Sequence, residues 1–146
     1  EISKPMVDSK HLTSVGLRIH FAKNSFAVVK QNPIIGVGTG DFPSEYKKIN
    51  SKNTPSQPNT SNPHNMYVLI LTQIGFLGLC SFMTIFYYQI RLSFSSIERY
   101  IRDIGITMPL LFLVIMLSDS YLLGHYTTLM YVFFSSFLYR NFEENK

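Results

Sequence analysis

Between Met66 and Ile90 the chain reads MYVLILTQIGFLGLCSFMTIFYYQI, a run of 25 residues without a formal charge. About 20 apolar residues in a helix cross the hydrocarbon core of a bilayer. Burying such a helix inside a soluble domain would take more surrounding protein than 146 residues supply. The run therefore reads as a membrane span. Tyr67 near one end and Tyr87 and Tyr88 near the other suit the two interfaces. Gly75 and Gly78 offer a neighbouring helix close approach.

The remaining segments arrange themselves around that span. Residues 91–103, RLSFSSIERYIRD, are short and carry Arg91, Arg99 and Arg102. Short arginine-rich loops stay in the cytoplasm. Residues 1–65 are then external, and Lys47, Lys48 and Lys52 do not oppose this because long loops translocate largely regardless of charge. Residues 104–139 are apolar again, interrupted by SDSYLLGH. They are too many for one ordinary span and slightly few for two. A hairpin of two short, tilted helices at about 104–118 and 123–139 is the preferred reading, with one long tilted helix as the alternative. The hairpin turn carries Asp119 near the outer face, and a cytoplasmic tail, 140–146, ends with Arg140 and Lys146 inside. The expected fold class is all-α: an integral membrane helical bundle fragment with a long, partly helical external loop. The chain starts without Met and without a signal-peptide pattern, so it reads as a piece of something longer.

Composition removes several function classes. At 46% hydrophobic and 15% charged, the chain is charge-poor for a soluble domain. Its net charge of +4 is spread out, with no basic cluster interleaved with aromatics, which argues against nucleic acid as a partner. The single cysteine, Cys80, excludes a disulfide framework and a cysteine metal site within the chain. His11, His20 and His125 lack ligand spacing, so no metal site is expected.

Within the external segment, Leu12, Val15, Ile19, Ala22, Phe26 and Val29 recur at helical spacing and predict an amphipathic helix over about 9–31. Pro33 stops it near Asn32. Arg18 lies beside the stripe, where a solvated or snorkelling charge is the plain alternative to a binding role. His20 is roughly 200° round the helix from Arg18, so the two do not readily share one site. Next comes NPIIGVGTGDF, with Gly36, Gly38 and Gly40 in alternation. That spacing is not G-x-G-x-x-G, and no P-loop lysine follows. It predicts an external turn whose glycines allow tight bends and close approach of a substrate. Residues 43–62 read as a Ser-, Asn-, Pro- and Lys-rich loop with little capacity to bury a core, a candidate lid. His64 then stands at the junction of loop and membrane helix, with Asn62 or Asn65 as the helix cap. A neutral imidazole there can act as a general base near neutral pH. The plain alternative is an amphipathic anchor at headgroup level.

Three features in this order, an arginine in an amphipathic helix, NPIIGVGTGDF, and PHNMYVLILTQIGFLGL, resemble the C-terminal part of the O-antigen ligase and O-antigen polymerase (Wzy-type) superfamily. The resemblance covers nearly the whole chain. It implies a multi-pass protein of the bacterial inner membrane, with its active face outside. It implies transfer of a glycan from an undecaprenyl-diphosphate carrier to an acceptor hydroxyl, either on the lipid A core or on a lipid-linked repeat unit. It implies no metal and no nucleotide cofactor. It maps a catalytic histidine onto His64 and a substrate-binding arginine onto Arg18. Asp119 is a further candidate for orienting His64 or an acceptor hydroxyl. Two other readings stand beside the enzyme. One is a non-catalytic membrane component of polysaccharide export or assembly, and the other is an inactive fragment of such an enzyme.

Overall fold

The computed structural model describes residues 13–139, and every regular element among them is helical. Leu12, His11, the start of the helix expected over 9–31 and the tail 140–146 lie outside the described residues. Five α-helices follow one another: α1 (Ser14–Val29), α2 (Phe42–Asn53), α3 (Met66–Phe94), α4 (Arg99–Ile115) and α5 (His125–Leu138). A short 3₁₀ turn, Tyr121–Leu123, precedes α5. Among the described residues, α3 alone is long and apolar enough to cross a membrane.

Helix α1 starts where the Thr13 side chain accepts a hydrogen bond from the Gly16 amide. Its buried side carries Phe21, Asn24, Ser25 and Val28. The predicted apolar stripe points the other way, with Val15 67% and Ile19 65% exposed. Periodicity located a face correctly but could not say what that face meets.

Residues 43–62 are not a featureless loop. Helix α2 covers Phe42–Asn53 with Pro43 in its first turn, where a missing amide costs nothing. Phe42, Tyr46 and Asn50 recur every four residues, and all three are buried. Phe42 and Tyr46 are completely buried, worth about 1.5–3 kcal/mol each in removed apolar surface. The polar average of the segment hid this spaced face.

A polar knot joins α1 to α2. The Asn24 amide donates to Asn50 Oδ1 (3.1 Å) and to Thr54 Oγ1 (3.0 Å). His20 Nε2 lies 3.2 Å from Asn50 Oδ1. The Asn50 amide in turn donates to the Gln57 carbonyl (2.9 Å) and to Asn59 Oδ1 (3.0 Å), pinning the strap that follows α2. Asn50→Ala would leave several of these groups unpaired. It should lower the stability of the external segment by about 2–4 kcal/mol. Thermal unfolding in detergent and faster proteolysis within 54–60 are the readouts.

The apolar run that begins at Met66 is not one straight span. Gly75 has φ 66° and ψ −165°, a break inside α3. Contacts with α4 show how far the helix turns there. The Met66 amide donates to the Met116 carbonyl (3.0 Å), and Ser93 lies against Gly105. Gly105 and Met116 are about 16 Å apart along α4, whereas Met66 and Ser93 would be about 40 Å apart along a straight helix. Both contacts hold only if α3 folds back at Gly75. The short arm, 66–74, is packed within the protein, and the long arm, 76–94, runs about 28 Å.

The glycine turn stitches this break. In an unbroken helix the Phe76 and Leu77 amides would donate to the Thr72 and Gln73 carbonyls. Here Phe76 donates to the Pro33 carbonyl (2.9 Å) and Leu77 to the Ile34 carbonyl (3.1 Å). Val37 and Gly38 donate to the Thr72 and Gln73 carbonyls instead (2.8 and 3.0 Å). Four backbone groups freed by the break thus find partners in the turn. Gly36, Gly38 and Gly40 all have positive φ, so the expected tight bends are present. The close approach at Gly36 is to the backbone of Gln73 and Ile74 in α3, not to a substrate. Likewise, what comes close to Gly75 is the Ile34 backbone of the turn rather than a neighbouring helix.

Candidate functional site

The fold-back carries the start of α3 to the end of α4, and two predicted residues meet there. His64 Nδ1 is 3.2 Å from Asp119 Oδ1. Their side chains are 37% and 35% exposed, so the pair is open to an incoming molecule. Asp119 lies in the turn between α4 and α5, 55 residues away in sequence.

The local sequence explains how each partner is held. Asn65 is the cap of α3, its side chain accepting from the Val68 amide (3.1 Å). Its amide group donates to the Leu117 carbonyl (2.9 Å), tying this end of α3 to the turn that bears Asp119. His64 itself is left-handed, with φ 55°, rare for a residue with a β-carbon. Asn62 holds it there: its Oδ1 accepts from the His64 amide (2.9 Å) and from Ser120 Oγ (2.7 Å). Asn–Pro sequences initiate turns of this kind, and Asn62–Pro63 carried that signal. One face of the imidazole is covered by Phe21 of α1, nearly parallel at 26° with ring centres 6.0 Å apart. Phe21 is braced edge-on by Tyr46 of α2. Phe21 and Ser120 were not among the residues the sequence singled out, and Asn62 was named only as an alternative cap of α3, a place that Asn65 takes.

Electrostatics ties a third predicted residue to the pair. Burial alone would raise the Asp119 carboxyl. The Ser120 amide, the hydrogen bond and charge of His64, and the charge of Arg18 outweigh it and hold the group below its usual value. Arg18 is exposed on α1 and acts on Asp119 through its field. Asp119 thus feels the charge of Arg18 as well as that of His64, whereas His20 is engaged in the α1–α2 knot and Gly36 in the α3 break.

An ionised Asp119 can only accept a hydrogen bond. Nδ1 of a neutral His64 then carries the proton, and Nε2 keeps its lone pair with no partner among the described residues. The imidazole thus has Nδ1 held by Asp119, Phe21 stacked nearby and Nε2 without a partner among the described residues. Among the described residues no group of three or more His, Cys, Asp or Glu side chains is placed to hold a metal ion.

Comparison with known proteins bears on the same residues. The family model described as O-antigen ligase matches residues 2–83. That stretch holds Arg18, the glycine turn, His64 and the break at Gly75, while Asp119 lies beyond it. No curated protein and no solved structure matches the chain.

Proposed function

Since the chain belongs to the O-antigen ligase family, we propose that it is a metal-independent glycosyltransferase of the inner membrane. It would move a glycan from an undecaprenyl-diphosphate carrier to an acceptor sugar hydroxyl outside the cytoplasm. The observation that carries this reading is the His64–Asp119 contact at an open position, with the charge of Arg18 acting on the same carboxyl.

In this mechanism the acceptor hydroxyl approaches the anomeric carbon while its proton passes to His64 Nε2. Asp119 holds Nδ1–H and stabilises the imidazolium that forms. The new bond joins acceptor oxygen to anomeric carbon. The bond from that carbon to the diphosphate oxygen breaks, and the diphosphate leaves with the electron pair. A diphosphate is a good leaving group and needs no proton donor. It does develop negative charge, which the Arg18 guanidinium can meet with two parallel hydrogen bonds. One direct displacement inverts the anomeric centre.

The membrane arrangement follows from lengths. The long arm of α3 at about 28 Å matches a hydrocarbon core of about 30 Å. Helices α4 and α5, with 17 and 14 residues, would cross beside it as a shorter hairpin. The site then lies at the outer interface, where a lipid-linked diphosphate holds its phosphates.

Arg18 and Asp119 test the division of roles. Arg18→Ala should lower transfer about 10- to 100-fold, and Arg18→Lys should recover only part, because it keeps the charge and loses the fork. Asp119→Asn should lower kcat about 10²-fold with KM little changed, since it disturbs the tautomer rather than binding. The pairing also has a pH signature. A carboxyl held low in the folded protein contributes stability fully above its unfolded value of about 3.9. That contribution fades as pH falls through the lower folded value. Asp119→Asn should therefore lower thermal stability at neutral pH and flatten its acid limb, the two chains converging as pH falls through the folded value. Wild-type transfer rates in both substituted chains would sink the mechanism.

A further inference from the structure

Helix α1 is built inside out. The side turned toward the protein includes two polar residues, Asn24 and Ser25. The side turned away carries Val15, Ile19 and Phe26, each about half to two-thirds exposed. The apolar surface does not end with the helix. Ile34 and Ile35, in the turn that stitches the α3 break, are 62% and 68% exposed. The Pro33 and Ile34 carbonyls accept from the Phe76 and Leu77 amides, where the long arm begins, and Phe76 is itself exposed. Exposed apolar side chains therefore occur on α1, in the turn and at the start of the arm that is long enough to cross a membrane, with the exposed Lys30, Gln31 and Asn32 between α1 and the turn.

We propose that this surface, the outward stripe of α1 with Ile34 and Ile35, lies among the lipid acyl chains of the outer leaflet. The proposal rests on the membrane reading above and adds to it a second point of attachment outside the spans. Two observations favour lipid as the occupant. The first is the backbone junction of the turn, at Pro33 and Ile34, with Phe76 and Leu77, the exposed start of the long arm. The second is charge. Lys23 and Lys30 are both exposed and follow the stripe along one border, about 60–80° from Val15. Lysines at the edge of an apolar helical face reach the phosphates of headgroups. Arg18 borders the stripe on the opposite side, about 60° away, toward His64 and Asp119. A helix lying flat in the interface would hold that guanidinium at phosphate level. The docked face thus sets the height of the site above the bilayer.

The chain contains no tryptophan, so a single introduced one is an unambiguous probe. Phe26→Trp and Ile35→Trp report on the proposed surface, and Ile85→Trp, on the exposed face of the long arm, reports on the membrane reading itself. Each chain is reconstituted in phosphatidylcholine and phosphatidylglycerol vesicles with plain or brominated acyl chains. Fluorescence of all three should fall about twofold or more in the brominated lipid. Quenching of Ile85→Trp without quenching of Phe26→Trp and Ile35→Trp would mean that protein or water covers the surface. The proposal would then be overturned and the membrane reading kept. Absence of quenching at all three would overturn both.

Discussion

A chain carrying His64→Ala should transfer glycan about 10²–10⁴-fold more slowly than the parent, the range a positioned general base contributes. The expected loss lies in kcat, because no other group among the described residues offers a free base beside Asp119. Folding should survive the change. His64 is partly exposed, and Asp119 remains solvated and bonded to the Ser120 amide when the imidazole is gone. The one structural cost is the left-handed backbone at His64, which alanine tolerates less well. His64→Asn removes that objection, since asparagine accepts this conformation and can still bond Asp119, yet offers no base. Both substitutions should therefore slow transfer from a lipid-linked donor by that factor while leaving the protein in the membrane, with thermal stability nearly unchanged for His64→Asn and modestly lowered for His64→Ala. If membranes containing only His64→Asn elongate or ligate glycan at the parental rate, the imidazole is an anchor and not a base.

How His64 came to be legible says something about the rest. A histidine at the edge of an apolar run, followed by a capping asparagine, is a local pattern, and Asn65 does cap α3. Asp119 was legible as an ionisable residue between two apolar stretches. Their contact, across 55 residues, depends on the fold-back at Gly75, which no local pattern announces. Hydropathy sees an uninterrupted run because glycine is neither polar nor charged, and the partners that satisfy the break come from Pro33–Gly38. The α1 stripe misled for a related reason. Periodicity finds an apolar face but cannot distinguish protein from lipid beyond it, and here Phe21 and Val28 pack inward instead. Helix α2 was obscured by averaging: three buried residues at four-residue spacing sit among seven polar or charged neighbours, Pro43 and Ile49. Asn62 was read only as an alternative helix cap, because its bond to Ser120, 58 residues away, is one that no local pattern announces.

The break at Gly75 gives the second large effect. Gly36→Ala and Gly75→Ala should each cost about 4 kcal/mol or more, enough to prevent assembly. A β-carbon on Gly36 would sit 2.4 Å from the Gln73 carbonyl group, and one on Gly75 would sit 2.3 Å from the Ile34 carbonyl oxygen. These are backbone atoms that cannot swing aside. The turn would have to withdraw, and the four hydrogen bonds it exchanges with α3 would go with it. Those groups would then lose their partners. Gly40→Ala isolates the steric part. Gly40 also has positive φ, 90°, but an added β-carbon meets nothing within 4 Å. Its cost should stay at about 1–2 kcal/mol, the left-handed penalty alone. The comparison needs only expression level and thermal unfolding of the three variants in detergent. The consequence for function is direct, because the fold-back sets the distance between His64 and Asp119. A Gly36→Ala chain that still inserts should lose transfer even though no group at the site has changed. Were it as mild as Gly40→Ala in both stability and transfer, the turn would not be what holds α3 folded back.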